Sequence, residues 1–221
     1  MNELTKRILT SLVLLSFFIL AFFYSFILIV SLILISVITW IEFNGLISKI
    51  FINNNLLKLL SRASSLLYIF LFCVLIYEGI SQVIPNFKIN MFFLFSICIG
   101  SDIGGFIFGK TFKGKKLTKI SPNKTISGSI GSFILPLILA PIFYQIFTEK
   151  FQNIYELIII AVVVSFFCQF GDLLFSYLKR KAKVKDTGDI LPGHGGILDR
   201  IDGIIVAVPV GMILWEIFLK L

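Results

Sequence analysis

Residues 171–202 read GDLLFSYLKRKAKVKDTGDILPGHGGILDRID, and this stretch decides how the chain is organised. It contains eleven charged side chains and the only histidine of a chain that is 57% hydrophobic. The stretch begins inside one apolar segment and ends at the start of another, so a polar loop is held between two apolar segments. Five acids, six bases and a Gly-rich turn in one loop indicate a site for a metal ion and a phosphorylated substrate.

The composition predicts an all-α integral membrane protein. Charged residues make up 14% of the chain, whereas they make up about a quarter of a typical soluble domain. The three cysteines (Cys73, Cys98 and Cys168) all lie in apolar runs, where cysteine behaves as a small hydrophobic residue. The sequence therefore predicts neither a disulfide framework nor a zinc site.

The apolar runs predict about seven transmembrane helices. Residues 8–41 contain no charge, and this length is too long for one span of roughly 20 residues. We therefore expect two short spans there, with the turn near Tyr24 and Ser25. Lys6 and Arg7 precede this run, which is longer than a signal-peptide core, so we expect an uncleaved anchor. The remaining spans are expected at 64–84, 91–109, 126–147, 155–178 and 201–219.

Two regions follow from these spans. Residues 1–90 would form N-terminal transmembrane helices, and residues 91–221 a catalytic transmembrane domain. Residues 43–63 alternate apolar and basic positions, which is typical of an interfacial amphipathic helix, although a simple connector explains them equally well.

The basic residues predict the orientation in the membrane. Placing the N-terminus in the cytoplasm puts 17 of the 20 lysines and arginines on that side, and only Lys88, Lys150 and Lys220 on the other. The net charge of +8 then reflects topology and attraction to anionic lipid headgroups. No nucleic-acid partner is expected, because the sequence has no basic helix and no aromatic residues spaced for base stacking.

Asp172 is the first candidate functional residue, because a carboxylate inside an apolar span is costly and usually serves a substrate or ion. A structural ion pair is the alternative. Ser176 and Lys179 follow at i+4 and i+7, which places an acid, a hydroxyl and a base on one helix face.

Asp199 and Asp202 lie three residues apart, so a helix beginning near them would direct both carboxylates to one side. With Asp172 they could hold a divalent cation such as Mg²⁺. An N-cap at Asp199 and a first-turn acid at Asp202 explain the pair equally well. In the preceding turn, residues 192–196, the glycines would let backbone amides approach phosphate oxygens, and His194 is favoured as a scaffold or ligand contact over a general base.

A second polar cluster lies upstream. Asp102 is another acid inside an apolar span, and neighbouring glycines would let helices pack closely there. Ser121, Lys124 and Thr125 directly precede the span at 126–147, where helix N-terminal amides and a lysine favour an anion. The S-x-x-K spacing of Ser121 and Lys124 also occurs in acyl enzymes, but the lysine-rich surroundings favour a polyphosphate site.

These residues together resemble the signature of the phosphatidate cytidylyltransferase family, also called CDP-diacylglycerol synthases. The resemblance is carried by Ser176-Tyr177-Leu178-Lys179-Arg180, Lys185-Asp186, Gly188, Leu191-Pro192, His194-Gly195-Gly196-Ile197 and Asp199-Arg200-Ile201-Asp202. Gly171-Asp172-Leu173, Ser121-Pro122-Asn123-Lys124-Thr125 and the Asp102 segment resemble the same family, so the similarity covers about residues 96–206. Ser127 departs from the family pattern, in which many members have Glu or Gln.

The resemblance implies a reaction of CTP with phosphatidate to give CDP-diacylglycerol and pyrophosphate. It also implies Mg²⁺, with K⁺ as a second cation, and a multi-pass protein of a bacterial-type inner (cell) membrane whose active site faces the cytoplasm. A homodimer is one alternative for its assembly.

The same resemblance assigns roles to the motif residues. Asp172 and Asp199 would hold the metal, with Asp202 adjacent. The division of the anion sites is our own hypothesis: the triphosphate would bind Ser121, Lys124 and Thr125, and the lipid phosphate would bind Lys179, Arg180 and Arg200. Lys185, Asp186, His194 and Arg200 are assigned to catalysis with the three aspartates, and Ser176, Gly195, Gly196 and Asp102 to substrate binding.

Two other classes explain part of the sequence. A CTP-dependent polyprenol or phytol kinase would also be basic and multi-spanning, but it should lack the His-Gly-Gly-x-Asp-Arg-x-Asp run. A transporter or channel could use Asp102 and Asp172 as an ion path, yet it has little use for the glycine turn or the basic cytoplasmic segments. Alcohol phosphatidyltransferases are disfavoured because their D-G-x-x-A-R sequence is absent.

The distribution of basic residues gives a first testable prediction. Residues 110–125 and 179–200 should face the cytoplasm, and residues 85–90 and 148–154 the opposite side. Single cysteines, introduced after replacement of the three native ones, can be labelled in sealed cells with an impermeant maleimide. Labelling from outside at position 115 or 187 would contradict the orientation.

Overall fold

The computed structural model describes residues 23–81, 85–147, 153–191 and 195–219, together with residue 193 and positions 10, 12, 13, 16, 17 and 19–21. Six helices have described bounds, and the described positions between 10 and 23 are helical as well. The six helices are α1 (Ser25–Ile50), α2 (Asn55–Ser81), α3 (Pro85–Phe112), α4 (Ile126–Phe147), α5 (Ile154–Lys181) and α6 (Leu198–Leu219). The described residues form no β-strand, only two isolated β-bridges.

The helices confirm the predicted all-α membrane class. By length and composition, α1, α2, α3, α5 and α6 can each cross a membrane, and α4 contains a shorter apolar stretch at Ile126–Leu139. The bounds of α4 are those predicted for its span. The helices α3, α5 and α6 extend a few residues beyond the predicted spans at one or both ends. In contrast, α2 begins at Asn55, well before the predicted start at residue 64, and its described part ends at Ser81.

The helix is interrupted at Tyr24, where the turn was predicted, while the division of residues 8–41 into two spans stays a prediction. Tyr24 has an extended backbone (φ −119°, ψ 108°), and α1 begins directly after it at Ser25. The span predicted before this break lies largely outside the described residues. After it, α1 continues through Ile50 and α2 starts at Asn55. Only residues 51–54 connect the two helices, so the connection is much shorter than the segment expected at 43–63.

The described contacts divide the chain into two compact units. The first unit contains Met1–Ser81 and Leu178–Ile201, and the second contains Gln82–Tyr177 and Asp202–Leu221. The polar loop between α5 and α6 (residues 182–197, hereafter the polar loop) therefore belongs to the same unit as the N-terminal helices. The division of the chain into an N-terminal region (1–90) and a catalytic domain (91–221) stays a prediction.

In the second unit, glycines allow α3 and α4 to approach closely. A Cβ atom at Gly128 would lie 2.8 Å from the carbonyl oxygen of Gly105, and one at Gly131 would lie 2.6 Å from that of Gly104. The close packing predicted for the glycines around Asp102 is thus confirmed. It fixes the start of α4, and with it Lys124, against the helix that carries Asp102.

Three aromatic rings from three helices pack together in the core of the second unit. Phe93, Tyr144 and Trp215 lie with ring centroids 5.4–5.5 Å apart and are all buried. Such tilted and edge-to-face pairs add about 0.5–1.5 kcal/mol beyond the area they bury. The three rings connect α3, α4 and α6 to one another.

The glycine contact between α3 and α4 generates a stability prediction. Gly131→Ala should destabilise the protein by about 1–3 kcal/mol, because the added methyl group meets the Phe108 side chain and the Gly104 carbonyl oxygen. Gly45→Ala is the matched control in α1, since nothing lies within 4 Å of its added Cβ. Thermal unfolding in detergent should rank Gly131→Ala clearly below the parent and Gly45→Ala level with it or above. Equal stability of the two variants would contradict the close approach.

Candidate active site

Lys124 and Asp172 form an ion pair in the second unit. Lys124 Nζ donates to Asp172 Oδ2 at 2.6 Å, and the two side chains are 33% and 19% exposed. Both predicted alternatives for Asp172 therefore stay open, because a paired carboxylate at a partly exposed position can also bind substrate or metal. The structure brings together a predicted metal ligand and a predicted triphosphate ligand.

Backbone hydrogen bonds fold the segment before α4 so that Lys124 is held in place. The N–H of Leu117 donates to Lys124 O at 2.8 Å, and the N–H of Ile126 donates to Lys115 O at 3.0 Å. Lys124 N–H in turn donates to Ser121 O at 3.1 Å. The backbone of Lys124 is thus held in a loop whose two sides are joined by hydrogen bonds.

Thr125 has a structural role that the sequence analysis did not assign. Its hydroxyl accepts the N–H of Gly128 at 3.1 Å, which makes Thr125 the N-cap of α4. Ser127, the residue that departs from the family pattern, donates to Lys113 O and lies 3.1 Å from the Thr125 hydroxyl. These two hydroxyls tie the lysine-rich segment to the start of α4.

Asp172 also belongs to a group of possible metal ligands. Within the described part of the chain, the ligand atoms of Asp102, Cys168 and Asp172 lie within 4.8 Å of one another. Two carboxylates suit a hard divalent cation, so the donor set fits Mg²⁺, although a thiol is not a ligand that Mg²⁺ prefers. The assignment of Asp172, Asp199 and Asp202 as the metal ligands stays a prediction.

Glycines bring α5 and α6 together beside Asp172. A Cβ atom at Gly171 would lie 2.6 Å from Asp202 O, and one at Gly203 would lie 2.9 Å from Asp172 Oδ1. Asp202 itself accepts the N–H of Gly203 at 3.0 Å. The second unit thus contains the predicted site residues Asp102, Ser121, Lys124, Thr125, Asp172, Ser176 and Asp202.

The first unit contains a second lysine–aspartate pair. Lys179 Nζ donates to Asp199 Oδ1 at 2.7 Å, and these side chains are only 14% and 6% exposed. Asp199 Oδ2 accepts the N–H of Gly196 at 3.1 Å and both the N–H (2.8 Å) and the hydroxyl (3.0 Å) of Thr187. Asp199 is the second residue of α6 rather than its N-cap, and its carboxylate joins α5, the polar loop and α6.

Glu42 is the residue that the sequence analysis missed. It lies in α1 and is 4% exposed, and its carboxylate accepts the N–H groups of Ile197 (3.0 Å) and Leu198 (2.8 Å) and the hydroxyl of Thr187 (3.0 Å). Glu42 therefore occupies the N-terminus of α6. The available signal was an acid at the end of an apolar run with no base three or four residues away.

The outer surface of the polar loop forms a polar cavity of about 510 Å³ that is open to solvent. It is lined by Lys185, Asp186, Asp189, Leu191, Gly193, Gly195 and Arg200. Reciprocal backbone hydrogen bonds between Leu191 and Gly195 close the turn, in which Gly193 (φ 77°) and Gly195 (φ 83°) take left-handed conformations that favour glycine.

The cavity combines predicted catalytic and substrate-binding residues. Lys185, Asp186, Gly195 and Arg200 all line it, while Lys179 and Asp199 form the buried pair described above. Gly196 is buried against Glu42, and Arg180 lies exposed in the last turn of α5. The predicted role of His194 falls on a position outside the described residues.

The chain belongs to the cytidylyltransferase family, whose family model matches residues 1–218. Among curated proteins, it is 48% identical over 118 residues to the phosphatidate cytidylyltransferase of Staphylococcus epidermidis, a match that covers 53% of this chain and 45% of that protein. The protein of the same name from Bacillus subtilis is 43% identical over 121 residues, covering 53% and 45%.

A third relative comes from a different bacterial group. The phosphatidate cytidylyltransferase of Rickettsia typhi is 44% identical over 122 residues, which covers 52% of this chain and 54% of that protein. The chain therefore spans about half the length of the curated relatives it matches.

Proposed function

We propose that the protein transfers the cytidylyl group of CTP to phosphatidate, forming CDP-diacylglycerol and pyrophosphate for phospholipid synthesis. The observation that carries this proposal is the 43–48% identity over half of the chain to proteins named phosphatidate cytidylyltransferase. The two lysine–aspartate pairs and the polar cavity support it, because they supply cationic groups for two phosphorylated substrates.

The chemistry requires positioning more than proton transfer. A phosphate monoester is largely dianionic near neutral pH, so the lipid phosphate needs no strong general base. One of its oxygens attacks the α-phosphorus of CTP, a new P–O bond forms, and the bond from the α-phosphorus to the bridging oxygen of the β-phosphate breaks. Pyrophosphate leaves with that bonding pair. The protein must hold two anions in line against their repulsion.

Lys124 is assigned to the CTP phosphates. The folded segment before α4 presents its ammonium group beside Asp172, and Thr125 and Ser127 keep that segment attached to the helix. Asp172 orients the ammonium group before the nucleotide arrives, so less side-chain freedom is lost on binding. Ser121 contributes to the same loop through its carbonyl oxygen.

The lipid phosphate is assigned to the basic residues of the first unit. Lys179, Arg180 and Arg200 belong to the two helix ends that flank the polar loop, and Arg200 lines the cavity with Lys185. A guanidinium group can bind a phosphate through two parallel hydrogen bonds. The acyl chains would stay in the bilayer while the headgroup reaches these residues.

Divalent cations complete the proposed site. Asp172, Asp199 and Asp202 would hold Mg²⁺, with K⁺ as a second cation, and Asp102 offers a further carboxylate beside Asp172. When bound, such ions neutralise charge on the triphosphate.

The proposed setting is a bacterial inner (cell) membrane with the site facing the cytoplasm, where CTP is available. CTP, phosphatidate and the bilayer are the proposed partners. The homodimer and the absence of a nucleic-acid partner stay predictions.

Incorporation of radiolabelled CTP into lipid by the purified protein tests the proposal directly. Label should enter the lipid fraction only when phosphatidate is present, with release of pyrophosphate. Transfer of phosphate to a polyprenol alcohol instead would identify a kinase and overturn the proposal.

The two paired aspartates give a prediction about catalysis. Asp172→Asn and Asp199→Asn should each lower turnover by roughly 10³-fold or more, because each removes a charge without changing the side-chain volume. Turnover is measured across a range of Mg²⁺ concentrations on protein that elutes as one species. Near-normal activity of either variant would exclude that residue as an essential ligand. His194→Asn should have a milder effect.

The two anion sites can be separated by kinetics. Lys124→Ala should raise the apparent KM for CTP more than that for phosphatidate, and Arg200→Lys should do the reverse, because a point charge does not replace a planar guanidinium group. Each effect should be about 10- to 150-fold. Steady-state rates in mixed micelles, with one substrate varied at a time, measure both. Equal weakening of both substrates by both variants would show that the residues act in one shared cluster.

A further inference from the structure

Glu42 is a buried acid whose described partners include no base. Its two carboxylate oxygens accept the consecutive amides of Ile197 and Leu198, and Oε2 also accepts the hydroxyl of Thr187. At 4% exposure it lies almost entirely out of water. A carboxylate in such a place is stable only when several donors satisfy it, and the first turn of α6 supplies two of them.

The polar loop is shaped around this carboxylate. A Cβ atom at Gly188 would lie 2.7 Å from Glu42 Oε1, and one at Gly196 would lie 2.5 Å from Oε2. The lack of a side chain at Gly188 and Gly196 therefore leaves room for the two carboxylate oxygens of Glu42. The loop could not take this conformation with larger residues at either position, so its path depends on where Glu42 lies.

Glu42 is coupled to Asp199 through shared donors. The Thr187 hydroxyl lies 3.0 Å from both Glu42 Oε2 and Asp199 Oδ2, while the Thr187 N–H donates to Asp199. Three consecutive amides are divided between the two acids, with Gly196 bonded to Asp199 and residues 197 and 198 bonded to Glu42. A displacement of Glu42 would therefore reorient the carboxylate of Asp199.

We infer that Glu42 is a positioning residue for the reaction: from α1 it fixes the start of α6 and the polar loop, and so sets the orientation of Asp199. This inference rests on the proposed function, in which Asp199 serves the reacting phosphates. The described donors to the Glu42 carboxylate all come from the polar loop and the start of α6, so Glu42 acts through these elements. A helix of the N-terminal region thus contributes to a site whose sequence motif lies about 150 residues later.

Glu42→Gln is the informative variant, because it keeps the side-chain size and turns one acceptor into an N–H₂ donor that faces other donors. Glu78→Gln is the matched control, since Glu78 is exposed on α2 of the same unit. We expect Glu42→Gln to lower kcat roughly 10- to 100-fold and to raise the half-saturating Mg²⁺ concentration, with KM for CTP changed by less than about threefold. Glu78→Gln should behave as the parent.

A readout without turnover separates this inference from the proposed function. Lys183 and Lys185 are exposed in the polar loop, so trypsin cleavage there reports how firmly the loop is held. Cleavage at these sites should be several-fold faster in Glu42→Gln than in the parent and in Glu78→Gln. This holds even if the parent protein incorporates no CTP into lipid, a result that would overturn the proposed function alone.

Thr187→Val provides a second test that does not depend on the folding of Glu42→Gln. It removes the shared hydroxyl but leaves the amide bonds of Glu42, so kcat should fall by a smaller factor, and Thr187→Ser should restore it. In Glu42→Gln/Thr187→Val the two losses should be less than multiplicative, because both act on Asp199.

Three results would overturn the inference. The first is a Glu42→Gln protein that unfolds at lower temperature while its folded fraction keeps the parent kcat and Mg²⁺ dependence. The second is loop cleavage no faster than in Glu78→Gln. The third is a Thr187→Ser variant as impaired as Thr187→Val, which would show that the shared hydroxyl is not what matters.

Discussion

The carboxylate of Asp199 is the interaction on which the polar loop depends. Lys179 at the end of α5, the N–H of Thr187 in the loop and the N–H of Gly196 just before α6 donate to it. The single hydroxyl hydrogen of Thr187 is shared between Asp199 and Glu42. Because the group is nearly buried, each of these donors offsets part of the cost of removing it from water. The loop carries many charges, and the hydrogen bonds to Asp199 connect its two ends.

Glu42 connects the polar loop and the start of α6 to α1, one of the N-terminal helices. The amides at the start of a helix need acceptors, and at α6 they find them in a side chain from α1 rather than in water or a local cap. Residues 1–90, which the sequence marks only as hydrophobic, thus supply more than a membrane anchor. The first unit joins α1 and the polar loop because the two acids share Thr187 between them.

In the second unit, small residues hold the segment that carries Lys124 in place. Gly128 and Gly131 bring α4 against α3, and Thr125 caps α4, so the segment before the helix can present Lys124 to Asp172 at 2.6 Å. An unpaired acid at that depth would be costly. The Lys124–Asp172 pair therefore connects the segment before α4 to α5.

The sequence by itself determined the membrane class, the bounds of α4, α5 and α6 to within a few residues and the place of the interruption at Tyr24, because hydrophobic length and charge are local properties of the chain. It did not predict that α1 runs to Ile50 or that α2 begins at Asn55. The sequence also singled out Asp172 as an acid in an apolar span and Asp199 by its spacing from Asp202. Only the tertiary structure decided their partners, Lys124 and Lys179, which lie 48 and 20 residues away. The sequence offered only a local signal for Glu42, an acid at the end of an apolar run. It could not give the partners of Glu42, since its donors lie about 150 residues later and no helical period connects them.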